Sequence, residues 1–285
     1  YNDGSIYEGA FKAGQPEGQG TRTFESSVFG YSYTGGFKAG KQSGRGDEQR
    51  KQGNFLEIYK GEFRDGKRNG KGTLTRKIPN LQDFKYVGDF MNGAPHGQGN
   101  QVDQERATYR GSFQKGLPHG IGQKTLANGD TYNGSWVRGM KHGKGVLVTA
   151  SGNRFEGDFN QNTQTRGIMT FGKDSPFNGD KYDGEFRNGK PNGKGTYTKA
   201  NGIIYDGELK EGIPHGKGTL TSPSGEEKTG IWENGKELKE GIPHGKGTLT
   251  SPSGEKKTVA PKSPEKPADL KPAPQPVPAP KPAPP

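Results

Sequence analysis

The sequence predicts an all-β fold: an elongated, single-layer, twisted antiparallel sheet of consecutive β-hairpin repeats, followed by a disordered Pro-rich C-terminal tail. Three observations predict it. A glycine–aromatic pattern recurs along most of the chain. Within each copy, large and small residues alternate with the period of two expected of a strand. Glycine and proline, 50 and 21 of 285 residues, punctuate the copies.

Composition alone points the other way. Leu, Ile, Val and Phe make up roughly 15 % of the chain, a level usual for disordered sequences of high net charge. A thick core is excluded, and only a thin structure burying aromatic rings locally can be stable. The argument for order therefore rests on the repeat.

The pattern is aromatic-x-Gly-x-aromatic-x-x-Gly-x-x-x-Gly-x-Gly. Clean copies open at Tyr7, Tyr33, Tyr59, Tyr86, Tyr109, Tyr132, Tyr182 and Tyr205. One of them reads Tyr182, Gly184, Phe186, Gly189, Gly193, Gly195. A further copy keeps Phe155, Gly157 and Phe159 but has Asn162 and Arg166 where glycines belong. Asn tolerates positive φ, so Asn162 is expected to keep the turn and Arg166 to mark a local irregularity. Copies are 23 residues apart between Tyr86, Tyr109, Tyr132 and Phe155, and 26 or 27 apart among the first ones. The extra residues, around 24–31 and 78–84, predict longer loops on one edge.

Within a copy, Gly189-Lys-Pro-Asn192 has turn chemistry. A four-residue loop there would set Phe186 opposite Gly195 and Gly184 opposite Tyr197, each large side chain facing a gap. That pairing accounts for strand-interior glycines, which otherwise weaken a strand.

This pattern resembles the MORN repeat family, and the resemblance covers nearly all of residues 1–257. It implies a row of hairpins in one twisted sheet. It also implies a protein that organises complexes and junctions, often at membranes.

Residues 208–226 and 237–255 are nearly the same text, which predicts a last hairpin disturbed by a duplication. From residue 258 to 285 the chain turns to Pro, Ala and Lys and reads as polyproline II, a semi-rigid tether. The chain is thus divided into a hairpin array, 1–257, of about nine to ten repeats, and a tail, 258–285. It opens at Tyr1 and stops within a proline run, which reads as a processed or truncated product.

No residue is assigned to catalysis, to a cofactor or to a metal, and no cofactor or small-molecule substrate is expected. There is no cysteine, so disulfides and thiolate metal sites are excluded. The five histidines, His96, His119, His142, His215 and His244, share one register. Equivalent residues of successive hairpins lie ~9–10 Å apart, too far to share a zinc ion, so they read as polar turn residues. Gly189–Thr196 lacks the spacing of a phosphate-binding loop. Asn133-Gly-Ser135 is a weak glycosylation signal inside a strand.

The chain therefore reads as a non-catalytic scaffold that binds a protein partner in the groove of its sheet. Candidate contacts are Tyr33, Tyr59, Tyr86, Tyr109 and Tyr132 with Phe37, Phe63, Phe90, Phe113 and Trp136. The alternative is a peripheral module for anionic phospholipid, favoured by the net charge of +11 and carried by Lys71, Lys144, Lys194, Lys217 and Lys246. These lysines are expected opposite the aromatic face, paired diagonally with Glu62, Asp183, Glu185, Asp206 and Glu208. Against it, no run of 4–8 basic residues of the kind that reads lipid is present. A second alternative is the targeting part of a larger enzyme. Glycines and acids interrupt any basic stripe, which disfavours nucleic acid. Terminal hairpin edges allow a homodimer. No apolar run approaches ~20 residues, the length of a membrane span, and membrane association is weakly favoured as the location.

Overall fold

The computed structural model describes residues 3–238. Its twenty strands belong to one antiparallel sheet, with no helix and no second sheet among the described residues. Contacts divide these residues into two units, 3–150 with 158–162, and 151–157 with 163–238, and each is described by itself.

The first unit holds β1 (Ile6–Lys12), β2 (Gln15–Glu25), β3 (Phe29–Lys38), β4 (Lys41–Gln52), β5 (Phe55–Arg64) and β6 (Lys67–Lys77). It continues with β7 (Phe84–Met91), β8 (Ala94–Val102), β9 (Thr108–Gln114), β10 (Leu117–Thr125), β11 (Thr131–Val137) and β12 (Met140–Val148). The residues of β13 (Arg154–Asn160) divide between the units. The second unit holds β14 (Thr163–Thr170), β15 (Lys181–Arg187), β16 (Lys190–Thr198), β17 (Ile204–Lys210), β18 (Ile213–Thr221), β19 (Glu227–Glu233) and β20 (Lys236–Leu238). Each strand pairs with the next from β1 to β12 and from β14 to β20.

The turn is shorter than the sequence suggests. Asn188 and Gly189 have φ of 52° and 74°, the two left-handed residues of a type I′ hairpin turn, whose twist matches that of the strands. Lys190, Pro191 and Asn192 open the return strand instead of the loop. Gly184 pairs with Gly195, Tyr182 with Tyr197 and Phe186 with Pro191. The expected pairing of Phe186 with Gly195 and of Gly184 with Tyr197 is thus overturned. Glu185 is left facing three residues, a bulge in which Gly193 takes a φ of 92°.

The bulge and the facing glycines explain the tyrosine. The Tyr59 ring lies flat over Gly61 and Gly72: a Cβ on Gly72 would stand 2.5 Å from the ring, and one on Gly61 2.6 Å from the Gly72 Cα. A bulge leaves ladder groups unpaired. The Tyr59 hydroxyl donates to the Glu62 carbonyl oxygen, one residue past Gly61, at 3.0 Å. The same bond, at 2.9–3.0 Å, runs from Tyr33, Tyr86, Tyr109 and Tyr132 in the first unit and from Tyr182 and Tyr205 in the second. Burial pushes the Tyr59, Tyr109, Tyr132 and Tyr205 hydroxyls up to about 12, so they stay donors at any physiological pH.

Rings then stack from hairpin to hairpin. In the first unit each Tyr meets its own Phe or Trp and that of the next copy edge-on. Tyr59, for example, has Phe63 at 5.1 Å and Phe90 at 4.8 Å. Phe37, Phe63, Phe90 and Phe113 are at most 5 % exposed, whereas Phe11, which has its own Tyr7 but no preceding copy among the described residues, is 60 % exposed. Cover by the preceding tyrosine is therefore what buries the phenylalanine. In the second unit Leu209 and Trp232 take the Phe position, and the Trp232 indole N–H donates to the Gly218 carbonyl at 3.0 Å.

The longer early copies use their extra residues differently from expectation. Around 24–31 they lengthen strands rather than loops: β2 to β6 run to 10–12 residues. The loop expectation holds at 78–83, between β6 and β7. The added strand length carries a buried ion chain on the aromatic face. Arg68 Nε donates to Glu48 at 2.7 Å and Arg68 Nη2 to Glu57 at 2.7 Å, while Arg76 Nε reaches Glu57 at 2.8 Å. The Arg68 guanidinium also lies over the Tyr59 ring at 4.9 Å.

The degenerate copy keeps its turn at Asn162, whose φ is 71°. In the second unit β14 has eight residues where β16 and β18 have nine. Gly167 pairs with Gly184, and Arg166 with Glu185 without a register break. The irregularity expected at Arg166 is a one-residue shortening of this strand.

Two outcomes follow for stability. Tyr59→Phe leaves a bulge carbonyl unpaired and should cost about 1–2 kcal/mol, and Gly72→Ala forces the ring off the backbone and should cost about 1–3 kcal/mol. Both losses should register as faster amide exchange in β5 and β6; unchanged exchange in either variant would refute this account of the tyrosine–glycine contact.

Burial pushes the Glu57 carboxyl up, but hydrogen bonds from Arg76 and Arg68 outweigh it and hold the group below its ordinary value of 4.5. A lowered folded-state value stabilises the fold above the unfolded-state value and loses that stabilisation as pH falls through the folded one. Urea midpoints should therefore be flat above about pH 5 and fall below about pH 4, and Glu57→Gln should flatten that fall while lowering stability at neutral pH.

Candidate functional site

With the rings on one face, the residues flanking each glycine project to the other, because side chains alternate along a strand. In the first unit this polar face carries a groove of about 820 Å³. Its floor is bare backbone, Gly46, Gly61, Gly72, Gly88 and Gly99, from five adjacent strands. Glycine inside a strand admits close approach of another chain, and here it leaves a channel between two rows of side chains.

The walls are cross-strand pairs. On one side Arg45 faces Glu62, Lys71 faces Asp89 and Gln98 faces Ser112. On the other, Asp47 faces Lys60, Thr73 faces Val87 and Asn100 faces Arg110. Lys60 reaches Asp47 at 2.7 Å, Lys71 reaches Asp89 at 2.5 Å, and the Gln98 amide donates to the Ser112 hydroxyl at 2.8 Å. Partial burial pushes the Asp89 carboxyl up, but Lys71 and the Gln98 backbone N–H hold it below its ordinary range. Both signs of charge thus alternate along the channel.

The ten aromatic residues named as contact candidates, Tyr33, Tyr59, Tyr86, Tyr109, Tyr132, Phe37, Phe63, Phe90, Phe113 and Trp136, are all buried, none more than 5 % exposed. They line the opposite face from the groove. Lys71, Lys144, Lys194 and Lys217 stand on the polar face of their strands, and Lys71 pairs with the acid directly across the ladder instead of on the diagonal. Lys71 pairs with Asp89 and Lys144 with Asp158, at 2.8 Å. In the second unit Lys194 stands opposite Glu208 and Lys217 opposite Ile231. Lys246 lies outside the described residues, as do His244, the disturbed last hairpin and the tail. No three metal-ligating side chains converge among the described residues. His119 and His215 follow the proline of their copies, each with a buried Nδ1 that has no partner.

One surface escaped the sequence reading. The two residues flanking each turn pair across the hairpin on the groove face. In the first three hairpins they are Lys12 with Gln15, Lys38 with Lys41 and Arg64 with Lys67. In the next three they are Met91 with Ala94, Gln114 with Leu117 and Val137 with Met140. The five cations are exposed, as are Met91, Leu117 and Val137. Like charges set directly opposite destabilise a ladder, so Lys38/Lys41 and Arg64/Lys67 are costly placements. Of the acids near the turns, Glu17 accepts from the Ala39 N–H at 2.9 Å, and Asp65 is itself a turn residue. Copies 26 residues apart hide this cluster in the sequence; the signal was the residue after the motif's second aromatic, tabulated copy by copy.

No curated protein matches the chain. The family model of the MORN repeat matches residues 7–27, 33–55, 59–77, 86–102, 109–131, 132–154, 182–204, 205–227 and 237–256. It passes over 155–181, where the fold nevertheless continues in β13 and β14. With nine repeats across residues 7–256, the chain belongs to the MORN repeat family.

Proposed function

We propose that this chain is a non-catalytic scaffold whose glycine-floored groove binds a segment of a partner protein. The observation that carries the reading is the pair of mixed-charge walls along a bare backbone floor. A polyanion such as nucleic acid gains little from walls that alternate in sign, whereas a polypeptide meets both signs. On this reading the buried aromatic rows hold the floor in place rather than touch the partner. The division into an array to about residue 257 and a Pro-rich tether belongs to the same proposal. So does a homodimer through a terminal edge, which the exposed Ile6 and Phe11 of β1 would suit.

A photo-crosslinking residue at Val87 or Asn100, in the groove, should capture a protein partner in cells, and the same residue at Gln101, on the opposite face, should not. Equal capture from both faces, or none from the groove, would remove the reading.

The turn-flanking row favours a second reading, a membrane-facing edge. Lys12, Lys38, Lys41, Arg64 and Lys67 meet the size of a lipid-reading basic cluster, and the apolar row beside them suits insertion among headgroups. No described helix is long and apolar enough to cross a membrane. With about 1 kcal/mol per cation at an anionic surface, Lys38→Ala, Lys41→Ala and Arg64→Ala together should weaken flotation with anionic liposomes by about a hundredfold. Lys71→Ala with Lys144→Ala, which removes ion-paired lysines, should change it little. Indifference of flotation to the turn-row triple would place any lipid contact elsewhere.

A further inference from the structure

The buried ion chain of the first unit does not balance its charge. It runs Arg50, Glu48, Arg68, Glu57, Arg76, three guanidiniums against two carboxylates. Its middle is enclosed: the Glu48, Arg68 and Glu57 side chains are 3, 9 and 11 % exposed. The surplus positive charge therefore lies with the arginines at the ends, and the ends differ. The Arg76 guanidinium lies over the Phe84 ring at 5.1 Å. Arg50 has no such cover. Its Nε and Nη2 both donate to Glu48 Oε1, at 3.2 and 2.8 Å, and its side chain is half exposed. Among the described residues its Nη1 meets no acceptor.

Arg50 opens onto a cavity of about 420 Å³, within the range of small-molecule sites. Tyr31 of β3 pairs with Arg50 of β4 on one side and with Phe24 of β2 on the other. A guanidinium, a phenol and a benzyl ring thus stand side by side on the aromatic face. Phe29 completes the wall, its ring 6.1 Å from that of Phe24. The Tyr31 hydroxyl accepts from the Gln42 side-chain amide and keeps its own proton to donate. Burial above all, with the Glu48 charge nearby, pushes that hydroxyl up to about 12, so the proton stays at physiological pH. The cavity has two acids, and their oxygens are engaged. Asp3 holds Ser5 on one oxygen and Arg22 on the other. Glu48 holds Arg50 on one and Arg68 on the other. What faces the cavity unengaged is a cation, a phenolic donor and two rings.

We propose that this cavity is a binding site for a carboxylate carried on an aromatic body. The carboxylate takes Arg50 Nη1 and the Tyr31 hydroxyl and becomes the sixth member of the ion chain, three anions then standing against three cations. The body packs on Phe24 and Phe29, where rings settle edge-on or offset. A phosphate dianion would bring a charge for which the chain has no counter-ion, and a neutral ring would leave the surplus cation as it is. A free aromatic acid and the C-terminal residue of a polypeptide present the same chemistry. The site is on the opposite face from the groove and does not depend on it.

The probe is N-acetyl-4-fluorophenylalanine, titrated with the full chain and read by broadening of its fluorine resonance. The acid should bind, and its carboxamide should bind about tenfold more weakly or worse, because a charge-assisted hydrogen bond is lost. Arg50→Gln should cause the same loss, and Phe29→Ala a smaller one. Arg76→Gln takes the same charge from two strands away, ~9.6 Å, about one screening length in physiological salt, and should weaken binding far less. It also removes one partner of a buried glutamate, as Arg50→Gln does, and so controls for damage to the fold. No broadening with the unaltered chain, equal affinity for acid and carboxamide, or equal loss in the two arginine variants would overturn the site. A tetrapeptide ending in the same fluorinated residue separates the sources: its binding assigns the site to a chain terminus, and its exclusion to a free acid.

Discussion

Everything in this fold depends on a tyrosine ring lying flat on two facing glycines. The contact is only possible where both residues lack a Cβ, so each motif needs a glycine on each strand, as at Gly61 and Gly72 under Tyr59. The same tyrosine closes the bulge through its hydroxyl, so ring and bulge are solved by one side chain. The two-residue turn sets the phenylalanine opposite the second residue after it, as Phe63 opposite Arg68, where the tyrosine of the preceding copy can reach it. Sheet, turn and ring row are consequences of that one contact, and the glycine floor of the groove is its other side.

Much of this was legible. Period two and the spaced glycines marked the hairpins of the described residues, and Asn162 kept its turn as its chemistry predicts. The register was not legible, because the type I′ turn hides its signature. Its first position is Asn at 188, but Ala at 13 and 39, Lys at 115 and Glu at 211, all with φ near 50°. Such residues are held in the left-handed region against a cost of roughly 1 kcal/mol by the pairing on both sides. At 188–189 the Asn-Gly signature is present and forms the turn, while Lys190-Pro-Asn192 sits in a strand. Where Ala, Lys or Glu stands at the first turn position, pairing on both sides overrides local preference.

The binding surfaces were legible in proportion to how local they are. A row of aromatics at fixed motif positions is conspicuous, yet Tyr33, Tyr59 and Tyr86 are fully buried. The less conspicuous neighbours of the glycines face outward. The buried chain of Glu48, Arg68 and Glu57 joins residues 9 and 11 positions apart or more in sequence, through three strands, and no charge pattern along the text announces it. Arg68 stands where other copies have Pro16, Gln42, Pro95 or Pro118. A buried ion pair is weak ground for stability. Its physical role here is to satisfy three charges that the longer strands enclose, with a guanidinium covering Tyr59 where a proline ring would otherwise lie.

The division of labour between the two faces follows from the same constraint. Packing fixes the aromatic and glycine positions in every copy, so those positions cannot carry information about a particular partner. The outward neighbours are free of that constraint, and they differ from copy to copy: Lys60, Val87 and Arg110 occupy one register, Glu62, Asp89 and Ser112 another. At the turns the register changes from Lys38 and Arg64 to Met91 and Val137. Stacked at strand spacing, such single residues become continuous rows, charged over three hairpins and apolar over the next three. A repeat whose interior is invariant thus specifies function only through the order of its copies. What distinguishes one stretch of the array from another is then a row across strands, not any single residue of the motif.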